Sequence, residues 1–539
     1  MPFHTQLSEF GFLDRFFADS TLKKAGSASE DAALSLARLM AASRAGNLCQ
    51  TEAELGIGVS SFPSQILEEG QSLYPKAPVV RWKNRYYLQK NWVYETHIIQ
   101  HVLRLRGKIP SWLDLKRFEE NLGSASGKLL PSQARAVRSS AEQGISFISG
   151  GPGTGKTYTA AHLVKLLFAS MKKEAFHVCV AAPTGKAASH LRSTLEAHGC
   201  SDPDLHIEAS TLHKLLKLRP GSNRLFSGDK IDADLIIADE ASMIDVSLMA
   251  HLFEAAGDET LLVLIGDPNQ LPPVDAGSVF PELSERFGIK LDRCMRTEDL
   301  GLQSLAEAVL RGDAEALFQI QPISNDPVSS EILYREIDPI VSAGEPDPQK
   351  CLEDYGRFRV LNAVRQGPQG TDSLNAELFE KLKKTGKWWA APILATVNDS
   401  FTEIYNGMSG LLIGRGGKTD AAYFPDTGGA LRKYPIPPPY ELAFCLSIHK
   451  SQGSEFDEVL ALFPEGSEHF GREALYTAIT RAKKRLQIQG DQEILRRMTC
   501  TTSRIVSGIA DRLAIQYEET RPELPAAQER DLGQISQFF

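Results

Sequence analysis

Eight consecutive residues, Gly150-Gly151-Pro152-Gly153-Thr154-Gly155-Lys156-Thr157, fit the spacing G-x-x-x-x-G-K-[ST]. Glycines at these positions let successive backbone N–H groups wrap phosphate oxygens at a helix N-terminus. Lys156 then reaches the β- and γ-phosphates, and the Thr157 hydroxyl ligates Mg²⁺. A chance glycine-rich turn lacks flanking elements, whereas here an apolar run, Ile145–Ser149, precedes the loop and a helical stretch, Ala160–Ala169, follows it. The expected cofactors are ATP and Mg²⁺.

Further along, Leu235-Ile236-Ile237-Ala238-Asp239-Glu240 reads as a buried strand ending in two carboxylates. Asp239 is expected to hold Mg²⁺ through its water shell, and Glu240 to orient and deprotonate an attacking water. An isolated acidic pair at a strand end is usually just solvated. Downstream of a phosphate loop it becomes a hydrolytic pair. The next apolar run, Leu261–Ile265, leads into Gly266-Asp267-Pro268-Asn269-Gln270-Leu271. From that strand tip Gln270 is placed to contact a γ-phosphate; read alone, it is a polar turn residue.

These groups need a scaffold. The chain has 539 residues, more than one core usually organises, so two to four domains are expected. From about 125 to 285, short apolar strands alternate with helical stretches, the pattern of a parallel sheet covered on both faces. The strands are placed at Ile145–Ser149, Val178–Ala182, Leu235–Asp239 and Leu261–Ile265. A second series is placed at Pro392–Thr396, Ala443–Ile448, Glu458–Phe463 and Arg485–Gln489. Between its members lie the turn-rich Gly407–Gly429 and a proline connector, Tyr434–Tyr440, read as a small inserted β-barrel. Residues 1–110 read as helical, with Asp31–Ala45 apolar-periodic and a hairpin around Lys83-Asn84. The stretch from about Glu519 is rich in Pro, Glu and Gln and is expected to be disordered.

Composition narrows the class. Fifty-nine Lys and Arg against 68 Asp and Glu give a net charge of −9, which argues against bulk coating of nucleic acid but not against gripping a few nucleotides in a groove. Seven scattered cysteines with no C-x-x-C pair support neither a disulfide framework nor a zinc site. With neither a leader nor an apolar run long enough for a bilayer, the expected location is cytoplasmic, away from membranes.

A phosphoryl-transfer site between two lobes needs positive charge delivered onto the γ-phosphate, and arginine supplies it with fixed geometry. Arg296, in Cys294-Met295-Arg296-Thr297, and Arg481, in Tyr476–Ala482, are candidates, though residue type alone does not separate them from other arginines.

Asp239–Met243, Gly266–Leu271, His449-Lys450-Ser451-Gln452-Gly453-Ser454-Glu455-Phe456 and Tyr476–Ala482 resemble, in order, the motifs of superfamily 1 helicases. More narrowly they are similar to the RecD family, 5′→3′ helicase subunits of exodeoxyribonuclease V. Ala182–Ala188, Ser210–Leu216, Leu361–Ala363, Gly367-Pro368, Asn375, Asn398–Ser400 and Asn406-Gly407 fit the same pattern. The resemblance spans roughly residues 30–510.

It implies an α/β fold of two RecA-like P-loop NTPase lobes, a helical N-terminal domain and a small inserted SH3-like β-barrel. The expected bounds are 1–110 for the helical partner-docking domain and 120–285 for the first lobe. The second lobe is expected over 286–405 and 440–512, the barrel over 406–439 and a disordered tail over 513–539. By the same resemblance Gln133 reads adenine, Gly453 and Glu455 lie at the nucleotide with Glu455 approaching the ribose, and Arg296 and Arg481 meet the γ-phosphate. Thr184, Lys186, Thr211, His213, His449 and Lys450 face single-stranded DNA; for the two histidines an ordinary hydrogen-bonding role is the alternative. Trp388-Trp389 reads as core in preference to a stacking platform. Pro220–Asn223 is a candidate strand-splitting hairpin.

The implied partners are single-stranded DNA, duplex ends, and RecB-like and RecC-like subunits, with nuclease activity arising only through those subunits. The implied role is in double-strand break repair and recombination. A free-standing 5′→3′ helicase of the same branch is the alternative; such relatives usually carry longer N-terminal extensions. A GTP switch would need an N-K-x-D segment, which the chain lacks, and a non-motor ATPase would not need Gln270, Arg481 and the His449–Phe456 block together. The last residues, Gln534-Ile535-Ser536-Gln537-Phe538-Phe539, resemble the peptides that grip the sliding clamp, although Gln537 stands where an aliphatic anchor is usual. Packing of Phe538 and Phe539 on the protein's own surface or on a partner subunit is the other reading.

Overall fold

A computed structural model describes residues 7–520 apart from 28, 57–61, 126, 219–227, 274–276, 294–299, 325–332, 334–343, 398, 400–401, 403, 427–428 and 503–504. The chain opens with helices Phe12–Lys24 and Glu30–Arg44, the second capped by Ser29, whose hydroxyl accepts the Ala32 N–H. Four short strands follow: β1 (Cys49–Thr51), β2 (Leu67–Glu69), β3 (Val79–Trp82) and β4 (Arg85–Leu88), in the order β1-β4-β3-β2. The β3–β4 hairpin turns at Lys83-Asn84, with Lys83 in the left-handed region at φ 54°. The N-terminal region is therefore a mixed helix–sheet unit, where the sequence reads as helical over 1–110. The hairpin read at Lys83-Asn84 is β3–β4; the other two strands, β1 and β2, are three residues long, too short for a hydrophobic period to show.

The first lobe is a six-stranded, wholly parallel sheet. Its strands are β5 (Ile145–Gly150), β6 (Phe176–Ala182), β7 (Leu205–Thr211), β8 (Leu235–Ala238), β9 (Leu261–Gly266) and β10 (Gly288–Leu291), ordered β10-β5-β9-β8-β6-β7. Strands β5, β8 and β9 are buried along their whole length, which explains why they read as continuous apolar runs. One face packs on Phe147, Phe253 and Phe280, the other on Val164, Leu167 and Phe176. Edge strand β7, Leu-His-Ile-Glu-Ala-Ser-Thr, has only Leu205 buried and leaves no comparable signal.

The second lobe begins with β11 (Ile323–Ser324) and β12 (Phe358–Asn362). The chain then departs into a five-stranded antiparallel sheet: β13 (Trp388–Ala395), β14 (Ser409–Arg415), β15 (Lys418–Pro425), β16 (Leu431–Tyr434) and β17 (Tyr440–Leu442), ordered β16-β15-β14-β13-β17. It returns as β18 (Cys445–Ser447), β19 (Phe456–Phe463) and β20 (Ala482–Gly490), completing a parallel sheet ordered β11-β20-β19-β12-β18. The inserted sheet thus runs from Trp388 to Leu442, wider than the 406–439 read from the sequence. The run at Pro392–Thr396, assigned to the parallel series, belongs instead to the insert. Strand β13 is central and buried from Trp389 onward, so its composition matches that of a parallel core strand. Trp389 is fully buried, donating its indole N–H to the Gly416 carbonyl and meeting Phe379 edge-on.

After the second lobe the chain crosses back to the first. The Leu48 N–H donates to the Val506 carbonyl at 2.8 Å, and the Val506 N–H donates to Asn47 Oδ1 at 2.8 Å. Helix Ile509–Thr520 follows, with Ile509 and Leu513 buried in the core of the first lobe. Residues 505–512 therefore pack on the first lobe and the N-terminal unit, and 513–520 are helical where disorder was expected; residues 521–539 lie outside the described set. At the centre of this junction Arg512 and Glu95, 3% and 0% exposed, form an ion pair at 3.0 Å. The guanidinium also donates to Thr96 Oγ1 and lies 3.7 Å over the Trp92 ring. Glu95 accepts further bonds from the Gly508 N–H and the Tyr87 hydroxyl.

Removing one partner of a buried ion pair strands the other charge, so Glu95→Ala should lower stability by about 3–5 kcal/mol in denaturant titration. The double replacement Glu95→Leu/Arg512→Met should lose clearly less. Equal losses in the two proteins would contradict this account of the junction.

Candidate active site

The loop between β5 and helix Lys156–Ala169 uses Gly153 (φ 73°) and Gly155 (φ 81°) in the left-handed region, where L side chains are strained. At Gly155 an added Cβ would lie 2.6 Å from Gln133 Nε2, so a side chain there would displace that amide from the loop. Thr154 Oγ1 donates to the Gly151 carbonyl, and Lys156 Nζ donates to the carbonyls of Gly150 and Gly151 at 2.7 and 2.9 Å. The ammonium thus stands inside the loop's curl, with Pro152 on the same turn and Thr157 one residue into the helix. Gln133 is buried against this loop, accepting the Leu130 N–H at 3.0 Å and donating to the Thr154 carbonyl at 3.3 Å. Its amide braces the loop backbone.

Asp239 and Glu240 follow directly on β8. Glu240 takes φ 50°, a left-handed conformation that costs about 1–3 kcal/mol for a non-glycine residue and is found at functional sites. That turn points both carboxyl groups at the loop. They keep a little accessible surface toward the cleft but are otherwise surrounded by protein. Burial raises the Asp239 carboxyl above the usual range, against a hydrogen bond from the Glu240 N–H and the charge of Lys156. Burial also raises Glu240, reinforced by Asp239 and opposed by Arg481 and Lys156. A carboxyl held high by its surroundings is suited to accept a proton near neutral pH.

Beyond β9, Asp267 is fully buried; it accepts the Asn269 N–H at 3.1 Å and the Tyr476 hydroxyl at 2.9 Å. Gln270 is 5% exposed and lies with its Nε2 at 3.5 Å from Asp267 Oδ2. Its Oε1 is buried without a hydrogen-bond partner. Such an orphan polar atom beside a phosphate loop is what an incomplete ligand site leaves behind. The residues present fit a nucleotide with its cation: loop amides and an ammonium for phosphate, and the hard oxygens of Thr157 and Asp239 for Mg²⁺.

The second lobe closes the site. Arg481 is 3% exposed, its Nε donating to the Thr477 carbonyl at 3.2 Å and its Nη1 to the Ser454 carbonyl at 3.1 Å. Lys156, Glu240 and Arg481, far apart in sequence, are brought together. Gly453, at φ 70°, approaches so closely that an added Cβ would lie 3.8 Å from Glu240 Oε1 and 3.6 Å from Ala187 Cβ. Glu455 lies 4.0 Å from Lys483, on the rim. Arg296 lies outside the described residues, as do Pro220–Asn223 and Gln534–Phe539.

Among the residues expected to face DNA, Thr184 and Thr211 cap helices Gly185–Ala197 and Leu212–Leu215 and sit at the ends of neighbouring strands β6 and β7. His213 and Lys186 are exposed, and Lys186 Nζ donates to Ser454 Oγ of the other lobe at 2.8 Å. His449 packs beside Phe470, and burial lowers its pKa. Lys450 pairs with Glu441.

Four residues at this cleft carry no signal in the sequence that marks them for chemistry. Tyr476 reaches over the phosphate loop, 3.2 Å from an added Cβ on Gly151. Tyr405, 37% exposed, extends from the inserted sheet's β13–β14 connection to Gly185, 3.8 Å from an added Cβ there. Thr477 and Gln452 bond the backbone of Leu271. All four lie in or beside recognised motifs, which was the one available clue.

Because burial already disfavours the Glu240 charge, Glu240→Gln should fold without loss of thermal stability and still bind nucleotide. Its ATP turnover should fall about 10²–10⁴-fold, the usual contribution of a positioned general base. A variant that hydrolyses ATP at the parental rate would remove Glu240 from the reaction.

Residues 133–276 match the model of a family described as an AAA domain, and residues 442–488 match that of the UvrD-like helicase C-terminal domain. The RecBCD enzyme subunit RecD of Haemophilus influenzae is 27% identical over 527 residues, covering 80% of this chain and 81% of that protein. The ATP-dependent RecD2 DNA helicase of Deinococcus radiodurans is 30% identical over 381 residues, 66% of this chain and 48% of that protein. The RecBCD enzyme subunit RecD of Mycolicibacterium smegmatis is 33% identical over 469 residues, 79% of this chain and 81% of that protein. With that identity sustained across both lobes, the chain belongs to the RecD family.

Proposed function

We propose that this chain, an ATP-dependent DNA helicase of the RecD type, moves 5′→3′ along single-stranded DNA as the motor subunit of a RecBCD-like exodeoxyribonuclease. The observation that carries the motor is the meeting of Lys156 and Glu240 from one lobe with Arg481 from the other. Bound ATP–Mg²⁺ supplies a transferable phosphoryl group at this cleft. Lys156 and the loop amides hold its phosphates, and Thr157 and Asp239 hold the cation. Glu240 takes the proton of the attacking water, Arg481 steadies charge that develops at transfer, and Gln270 reads the γ-phosphate with its unpartnered carbonyl oxygen. Gln133 is assigned to adenine and Glu455 to the ribose; for each, its partners in the structure exchange for the ligand. Arg296 is assigned as a second γ-phosphate arginine.

The DNA track is assigned to Thr184, Lys186, Thr211 and His213 on one lobe and His449 and Lys450 on the other. Alternating closure of the lobes shifts the grip from one set to the other. Partnership with RecB-like and RecC-like subunits is supported by the mycobacterial and Haemophilus relatives, which carry the name of RecBCD subunits along most of their length. The weaker free-standing reading is supported by the RecD2 relative, of which the chain spans 48%.

Two measurements test this. On partial duplexes, unwinding should require a 5′ single-stranded tail, and a preference for 3′ tails would refute the proposed polarity. Arg481→Ala should bind nucleotide nearly normally, yet lose turnover by roughly 10³-fold or more, the effect of withdrawing a finger arginine. Normal turnover would remove that residue from the γ-phosphate.

A further inference from the structure

Leu271 belongs by sequence to the first lobe, one residue beyond Gln270. Its side chain, 2% exposed, nevertheless lies in the core of the second lobe, with Tyr476, Ile448 and Ile479 in the same cluster. Both polar atoms of its peptide are taken by second-lobe side chains. Its N–H donates to Thr477 Oγ1 at 2.9 Å, and its carbonyl accepts from Gln452 Nε2 at 3.0 Å. Thr477 and Gln452 are 0% and 7% exposed, so neither bond competes with solvent.

Each of these side chains leads to a different working part. Thr477 lies on helix Gly471–Ile479, its hydroxyl proton satisfied by the Glu473 carbonyl and its own carbonyl accepting Arg481 Nε at 3.2 Å. Gln452 follows directly on the turn His449–Ser451 that carries the second lobe's DNA-facing pair. One peptide of the first lobe is therefore fixed to the arginine through Thr477 and to the DNA turn through Gln452. A displacement of Gln270 is transmitted to both, because buried hydrogen bonds with no solvent alternative resist breaking.

We propose that Leu271 is the mechanical coupling between nucleotide and DNA in this motor, and that Thr477 and Gln452 are positioning residues through which it acts. This rests on the assignment of Gln270 to the γ-phosphate and of His449 and Lys450 to DNA. Neither Thr477 nor Gln452 is assigned to touch substrate; their effect is to make the nucleotide state and the grip on DNA change together.

Thr477→Val keeps the shape of the side chain and removes the hydroxyl that accepts the Leu271 N–H and donates to the Glu473 carbonyl, while Thr477→Ser keeps both bonds. Expected for Thr477→Val are DNA-independent ATP turnover and KM for ATP within about twofold of the parent, with DNA-stimulated turnover down about tenfold, the scale of a typical coupling between two sites. Single-stranded oligonucleotide affinity without nucleotide should be unchanged, but its shift on adding a non-hydrolysable ATP analogue should shrink by a similar factor. Thr477→Ser should restore both. Gln452→Met, which keeps length without the donor, should reproduce the uncoupling, and serves as the second probe if Thr477→Val does not fold. A parent stimulated by DNA, with variants equally stimulated and equally shifted by the analogue, overturns the coupling alone. A parent whose turnover ignores DNA overturns the motor reading and the coupling with it.

Discussion

Two carboxyl groups on adjacent residues, kept largely out of water, set the terms for the rest of this structure. Asp239 and Glu240 end a strand with no exposed residue, and their charges repel one another in a medium that screens poorly. Such a pair persists only where cations are delivered to it. Lys156 comes from the loop after β5, two strands away in the sheet, which fixes the strand order around β9 and β8. Arg481 comes from the other lobe, which requires the lobes to face one another across this spot. The left-handed turn at Glu240 is the local strain that this arrangement carries.

If the arginine must come from a second body, the two bodies need a connection that permits movement without loss of register. The chain provides separate solutions at its two junctions. Between the N-terminal unit and the first lobe the contact is built to be permanent: hydrogen bonds of Val506 with the Leu48 N–H and the Asn47 side chain, a buried ion pair with a cation–π contact, and Leu48 in the lobe's own core. Between the lobes the exchangeable contacts are single hydrogen bonds, such as Lys186 to Ser454 and Tyr476 to Asp267, while the buried pair on Leu271 stays with the second lobe. A few discrete bonds can exchange as a set, whereas a continuous apolar interface would hold one geometry.

The parts legible in the sequence were those whose chemistry dictates residue type at fixed spacing. The phosphate loop, Asp239, Glu240, Gln270 and the buried strands β5, β8 and β9 follow from backbone conformation, charge and full burial, and each leaves a local trace. Arg481 needed family resemblance, since an arginine proposed for the γ-phosphate looks in sequence like any other. Other features left none. Strand β7 is an edge with only Leu205 buried, so its pattern is polar. Strand β13 is buried on both faces in an antiparallel sheet and is indistinguishable by composition from a parallel core strand. Helix Ile509–Thr520 depends on contacts to residues more than 400 positions away, such as Arg512 with Glu95, and no window of sequence contains both partners.

The acidic balance of the chain also finds a physical place. Both cations of the proposed DNA track are already answered within the protein: Lys450 by Glu441 and Lys186 by a serine hydroxyl. On the proposed track a phosphate reaching Lys450 would have to displace Glu441, so the gain would be a difference between two ion pairs and not the whole of one. Weak net attraction at each contact suits a motor, because a strand held by full neutralisation at every phosphate would be slow to release. Buried charges also gather at the nucleotide cleft, as Asp267 and Arg481, and at the N-terminal junction, as Glu95 and Arg512. One must bind a compact, highly charged ligand, and the other must never let go.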